Sequence, residues 1–172
     1  GCWVGFKAIS DTVESAATID VDPDRLQIVV PADFAPPSQD IHIRASDTPL
    51  AQEARVMGPR MEAVQAFARA NRLDRTVIAA PQARLGIITT GKAYLDVLQA
   101  LEELGLDEAG SGQVAVYKVG MSWPLEPEGV RAFALGLDDI LVVEEKRAFV
   151  EDQVVKALYN LPGKRPTVVG KS

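Results

Sequence analysis

From Thr76 onward the chain alternates short, unbroken apolar runs with segments of helical period. In order these are TVIAA (Thr76 to Ala80), LGIITT (Leu85 to Thr90), a helix over 92–104, QVAVYKV (Gln113 to Val119), a helix over 127–137, ILVVEE (Ile140 to Glu145), a helix over 149–159 and PTVVG (Pro166 to Gly170). Strands alternating with helices require crossover connections, and these build a parallel sheet. The strand runs are rich in Ile and Val without polar alternation, so both faces of the sheet are expected under helices. The fold class is therefore α/β, a three-layer domain with a largely parallel sheet flanked by helices, whose edge strands are free to run either way.

Upstream the pattern changes. Phe6, Ile9, Val13 and Ala16 fall at helical spacing and predict an amphipathic helix over 3–16. Asp22-Pro23-Asp24 breaks it, and LQIVV (Leu26 to Val30) reads as a buried strand. The stretch from Pro31 to Pro49 carries Pro36-Pro37 and many small polar residues, a surface connection too long for the inside of a compact domain. Residues 1–47 are thus expected to form an N-terminal helix-and-strand arm with its linker, and 48–172 the main α/β domain. Asp47 or Thr48 is placed to cap a helix that has Pro49 at its first position. Its apolar stripe runs through Met57, Met61, Val64 and Ala68 toward Asn71, with a kink at Gly58-Pro59.

Of the 172 residues 24 are acidic and 18 basic, a net charge of 18 − 24 = −6. No basic face is available to neutralise phosphates, which disfavours nucleic acid as a partner. The longest apolar runs are strand-sized, far below a bilayer span, so no membrane association is expected. Cys2 is the single cysteine and His42 the single histidine, which excludes a disulfide framework or a Cys/His metal cage built within the chain. A reducing, cytoplasmic location fits. The chain begins Gly1-Cys2-Trp3 without an initiator Met, as expected of a piece of a longer protein, and its apolar start, with Trp3 and Phe6, predicts a neighbouring domain there.

LGIITTGKAY (Leu85 to Tyr94) nearly spells a phosphate-binding loop: Gly86, four residues, Gly91 and Lys92. Such a loop needs open, glycine-rich backbone whose N–H groups face the anion, and a Ser or Thr after the Lys to hold magnesium. Here Ala93 follows, and Ile87 and Ile88 belong inside a strand. The plainer expectation is strand, tight turn at Gly91, then a helix with Tyr94, Val97, Leu98, Leu101 and Leu104 on one side and Gly105 at its C-cap. Thr89, Thr90, Gly91 and Lys92 remain weak candidates for an anion site at a helix start. Glu144 and Glu145 end a strand and raise the alternative of acid/base chemistry, against support of the next helix start. Trp123 precedes a helix-start signature, Glu126-Pro127-Glu128, and is expected to be a packing anchor. No catalytic or metal-ligating residue is assigned.

CWVGFKAISDTVESA (Cys2 to Ala16), ARLGIITTGKAYLDVLQAL (Ala83 to Leu101), YKVGMSWPLEPEGVRAFA (Tyr117 to Ala134) and ILVVEEKRAFVEDQV (Ile140 to Val154) together resemble indolepyruvate ferredoxin oxidoreductase, a 2-oxoacid:ferredoxin oxidoreductase. Within that family the chain is similar to the transketolase C-terminal-like domain of the thiamine-diphosphate-containing alpha part, with its connecting arm. The resemblance implies oxidative decarboxylation of aryl 2-oxoacids to acyl-CoA by the whole enzyme, with iron–sulfur clusters, thiamine diphosphate and magnesium as cofactors. It implies ferredoxin, CoA and the remaining domains of the polypeptide as partners, and a homo-oligomer. No GDG-type thiamine diphosphate motif and no cysteine-rich cluster motif stands in these residues, so those sites are expected on other parts of the polypeptide. The expected role is that of a noncatalytic or auxiliary domain, inactive when isolated, and the competing expectation is a free-standing anion- or nucleotide-binding domain.

Overall fold

The computed structural model describes residues 10–14, 16, 18–25, 27–37, 41–42, 44–106 and 112–172. The elements are α1 (Ser10–Val13), α2 (Pro49–Arg55), a five-residue π turn (Val56–Arg60), α3 (Met61–Ala70), β1 (Arg75–Ile78), β2 (Leu85–Thr90), α4 (Ala93–Glu103), β3 (Val114–Val119), α5 (Pro127–Ala134), β4 (Asp139–Val143), α6 (Val150–Leu158) and β5 (Thr167–Val169). The strands form one sheet in the order β1-β3-β2-β4-β5. β3, β2, β4 and β5 run parallel, and β1 is an antiparallel edge. Among the described residues no helix is long and apolar enough to cross a membrane.

Register sorts the side chains into two cores. Ile87 pairs with Val116 and faces α4, where Val97 and Leu101 pack on it together with Ile78 and Val114. Ile88 pairs with Tyr117 and Val142 and faces α5 and α6, whose Val130, Ala134, Val154 and Leu158 complete the larger core. The alternation of side chains along a strand makes adjacent isoleucines serve opposite layers. The fold is thus the expected α/β class, three layers around a largely parallel sheet.

Helix ends follow the sequence signals. Thr48 caps α2 by accepting from the Ala51 amide at 3.2 Å, and Pro49 takes the first position. Gly58, with φ −101° and ψ −106°, and Pro59 then divide α2 from α3 through the π turn, as proline inside a helix must. α5 stops at Ala134, three residues short of its predicted end, because Gly136 takes φ +83° and turns the chain so that Leu137 drops into the core.

Two expectations are corrected, and a third falls largely outside the described residues. Residues 27–30 form no strand: Ile28 and Val30 are exposed, and Val29 is held instead by the side-chain amide of Asn71, which donates to its carbonyl and accepts from its N–H, both at 2.8 Å. An apolar run becomes a strand only where a sheet edge receives it, and here an amide side chain takes that place. Burial on both faces holds for β2 and β3 but not for β4 and β5. Leu141 and Val169 share the α4 side with Ile87 yet are 37% and 50% exposed. Of the helix predicted over 3–16, α1 covers Ser10–Val13, and residues 3–9, with Trp3 and Phe6, lie outside the described residues.

Candidate functional site

In an open α/β sheet, ligands favour the crevice where neighbouring parallel strands send their connections in opposite directions. Here β2 leads through α4 to β3 on one side, and its neighbour β4 leads through α6 to β5 on the other. The carboxyl ends of β2 and β4 bring together the two stretches singled out in the sequence, Thr90-Gly91-Lys92 and Glu144-Glu145. Lys92 is raised from its ordinary range chiefly by its bond to Asp96, with a smaller contribution from the Glu145 charge.

The four anion-site candidates do not converge. Thr89 is fully buried, and its hydroxyl has no hydrogen-bond partner among the described residues. Thr90 turns its hydroxyl to the Val119 carbonyl, 3.1 Å away, stitching β2 to β3. Gly91 takes φ +58°, the left-handed conformation that suits glycine. The Lys92 ammonium binds both carboxylate oxygens of Asp96, at 2.6 and 2.8 Å, one turn along α4. Gly86 is not in a loop at all. It lies buried in β2, where a Cβ would come within 2.5 Å of Leu137 Cδ1. The near-motif is strand, turn and helix start.

Glu144 and Glu126 are committed to the main chain, while Glu145 is exposed. Glu144 accepts from the amides of Phe149 and Glu151 through Oε1, both at 3.0 Å, and from Val150 through Oε2 at 2.8 Å. It thereby fills the anion position at the start of α6 with the chain's own charge. Glu126 does the same for α5, accepting from Glu128 at 3.1 Å and Gly129 at 2.6 Å, and it also binds the Arg69 guanidinium at 2.6 Å. Glu151, 2% exposed, accepts from the amide of Lys171 at 2.6 Å, from that of Ser172 at 3.3 Å and from the Ser172 hydroxyl. Trp123 corrects the sequence expectation: it is 53% exposed, and Leu125 is the buried anchor of that loop.

Sequence reasoning missed a second group beside β3. Asp74, ahead of β1, accepts from the amides of Gly120 at 2.8 Å and Met121 at 2.9 Å through Oδ1, while its Oδ2 is buried without a hydrogen-bond partner among the described residues. Glu126 and Tyr117 stand near it, and all three line one cleft. The three lie 9 to 52 positions apart in sequence, so no spacing motif announces them, and only the β1–β3 pairing brings them together.

Burial raises the Asp74 carboxyl above its ordinary range, the Gly120 and Met121 amides oppose this, and the Glu126 charge adds to the rise. Burial likewise raises the Tyr117 hydroxyl, reinforced by the Asp74 and Glu126 charges. A folded-state value above the unfolded one, about 3.9 for Asp, means the folded state holds the proton more tightly. The resulting stabilisation is complete below the unfolded value and is lost as pH rises through the folded one. Asp74→Asn, which keeps an oxygen for both amides, is expected to flatten the fall in stability from about pH 4 upward, measured by urea melts at successive pH values. An unchanged slope would show that another group sets it.

A family model described as the indolepyruvate oxidoreductase domain matches residues 74–172. The indolepyruvate oxidoreductase subunit IorA of Methanothermobacter marburgensis is 34% identical over 111 residues, which cover 62% of this chain and 17% of that protein. The subunit of the same name from Pyrococcus abyssi is 39% identical over 72 residues, 42% of this chain and 10% of that protein. This chain therefore spans less than a fifth of the relatives it matches. Among solved structures, 2-oxoglutarate:ferredoxin oxidoreductase from Magnetococcus marinus, with 2-oxoglutarate, coenzyme A and succinyl-CoA bound, is 17% identical. The alignment covers 72% of this chain and 20% of that one at a TM-score of 0.46. A split-gene transketolase, an inactive β4 tetramer, is also 17% identical, with 56% and 32% covered and a TM-score of 0.40. The match from Asp74 onward takes in all five strands and the helices between them, and this chain belongs to the indolepyruvate oxidoreductase domain family.

Proposed function

We propose that this chain serves as an auxiliary, noncatalytic domain of a thiamine-diphosphate-dependent 2-oxoacid:ferredoxin oxidoreductase. The whole enzyme would convert aryl 2-oxoacids such as indolepyruvate to acyl-CoA in the cytoplasm, passing electrons through iron–sulfur clusters to ferredoxin. Residues 48–172 would act as its transketolase C-terminal-like unit and residues 1–47 as the arm that joins it to neighbouring domains and copies. The observation that carries this reading is the use of the carboxylates at the sheet's carboxyl edge. Glu126 and Glu144 are engaged by backbone amides at helix starts, leaving neither poised as a general base. Among the described residues no three His, Cys, Asp or Glu side chains group as metal ligands, and no chemical step is assigned to these residues.

The purified chain is accordingly expected to give no turnover with indolepyruvate, CoA and a dye acceptor. Dye reduction that scales with chain concentration would overturn the proposal.

One observation favours a second reading, a weak anion site at Thr90-Gly91-Lys92: unlike α5, α4 starts without a side-chain cap. Because Lys92 is tied to Asp96 on an exposed surface, such a site is weak at best. Under the auxiliary reading, the melting temperature is expected to stay unchanged by phosphate, and equally so in Lys92→Ala. A saturable rise that Lys92→Ala removes would favour the second reading.

A further inference from the structure

A cleft of about 430 Å³ opens between the end of α3, the start of β1 and the first turn of α5. Its inner end is acidic. Asp74 and Glu126 lie there beside Tyr117, which is itself 4% exposed and whose hydroxyl makes no hydrogen bond to any described residue. That hydroxyl has room only because residue 129 is glycine, since a Cβ at Gly129 would stand 2.3 Å from it. Asp74 Oδ2, buried with no hydrogen-bond partner among the described residues, leaves hydrogen-bonding capacity unused at this end of the cleft, and a ligand group can supply what is missing.

The rim has the opposite character. Arg72 and Arg75 are exposed, and neither guanidinium forms an ion pair or hydrogen bond among the described residues, whereas Arg69 is committed to Glu126 and Asp33. Unpaired guanidinium groups are suited to bidentate recognition of a carboxylate. Phe133 adds an apolar wall, its ring centroid 5.2 Å from that of Tyr117. A ligand complementary to all three parts carries a cation inward, an anion outward and an apolar group to one side. The size of the cleft falls in the range of small-molecule sites.

We propose that this cleft binds a free α-amino acid, with its ammonium toward the Tyr117 hydroxyl and the Asp74 carboxylate, its carboxylate between Arg72 and Arg75, and an apolar side chain against Phe133. The site is separate from the β2/β4 crevice and does not depend on the oxidoreductase reading.

Three probes dissect it on the 172-residue chain: L-phenylalanine, phenethylamine, which lacks the carboxylate, and 3-phenylpropionate, which lacks the ammonium. Calorimetric titration is expected to show saturable binding of L-phenylalanine, about tenfold or more tighter than either singly charged analogue. In Arg72→Ala/Arg75→Ala, whose exposed positions should leave the melting temperature unchanged, L-phenylalanine should bind no better than phenethylamine. Tyr117→Phe, which keeps the ring, should weaken L-phenylalanine and phenethylamine but leave 3-phenylpropionate as it was. Failure of L-phenylalanine to saturate, equal binding by a singly charged analogue, or indifference to the double arginine substitution in a folded variant would overturn the proposal.

Discussion

Glu144→Ala is expected to lower the unfolding free energy by about 3 kcal/mol, read from urea denaturation at neutral pH. The carboxylate is 8% exposed and accepts three main-chain amides at the start of α6. Each charge-assisted bond is worth roughly 1.5–3 kcal/mol, and donors left buried keep their desolvation cost. The three contributions do not add in full, because the 145–149 loop is largely open and water can reach part of the vacated space. Glu144→Gln keeps one acceptor oxygen and is expected to lose about half as much. A loss below about 1 kcal/mol for the alanine variant would mean that the first turn of α6 is held by packing of Val150 and Val154 instead.

The second large effect concerns Gly86, the first glycine of the near-motif. Gly86→Ala is expected to destabilise by about 2 kcal/mol, since its Cβ would meet Leu137 Cδ1 at 2.5 Å and Phe133 Cε1 at 2.9 Å. The lower entropy of the unfolded alanine chain offsets part of this, by about 0.4–1 kcal/mol. Leu137→Ala should therefore cost less in the Gly86→Ala background than alone, a coupling that a double-mutant cycle measures. Additive losses would place the strain elsewhere. A glycine that admits a phosphate would show no such coupling to a leucine in the core.

The sequence was most legible where burial acts on both sides of a strand. LGIITT matches β2 residue for residue, because an Ile and Thr run bounded by a turn has no other way to bury both faces. Helix starts were legible through their caps, Thr48-Pro49 and Glu126-Pro127. Three features depended on what neighbours do and so escaped. LQIVV has the composition of a strand, but over residues 27–30 the Asn71 side chain, rather than a strand, takes up the Val29 backbone groups. Leu141 and Val169 have the composition of covered positions, but the described residues on their side of the sheet leave them open. The Asp74, Tyr117 and Glu126 group depends on pairing β1 antiparallel to β3, a direction that local sequence does not set.

The clip between Val29 and Asn71 has a consequence for motion. Two hydrogen bonds to one side chain hold the 27–30 stretch, rather than a ladder shared with a strand. A ladder releases its segment only as the sheet itself opens, whereas a single amide can let go by one rotamer change while every strand stays paired. Detachment of this stretch is thereby uncoupled from global unfolding, and its amide protons are set to exchange on a faster clock than those of β2 and β3.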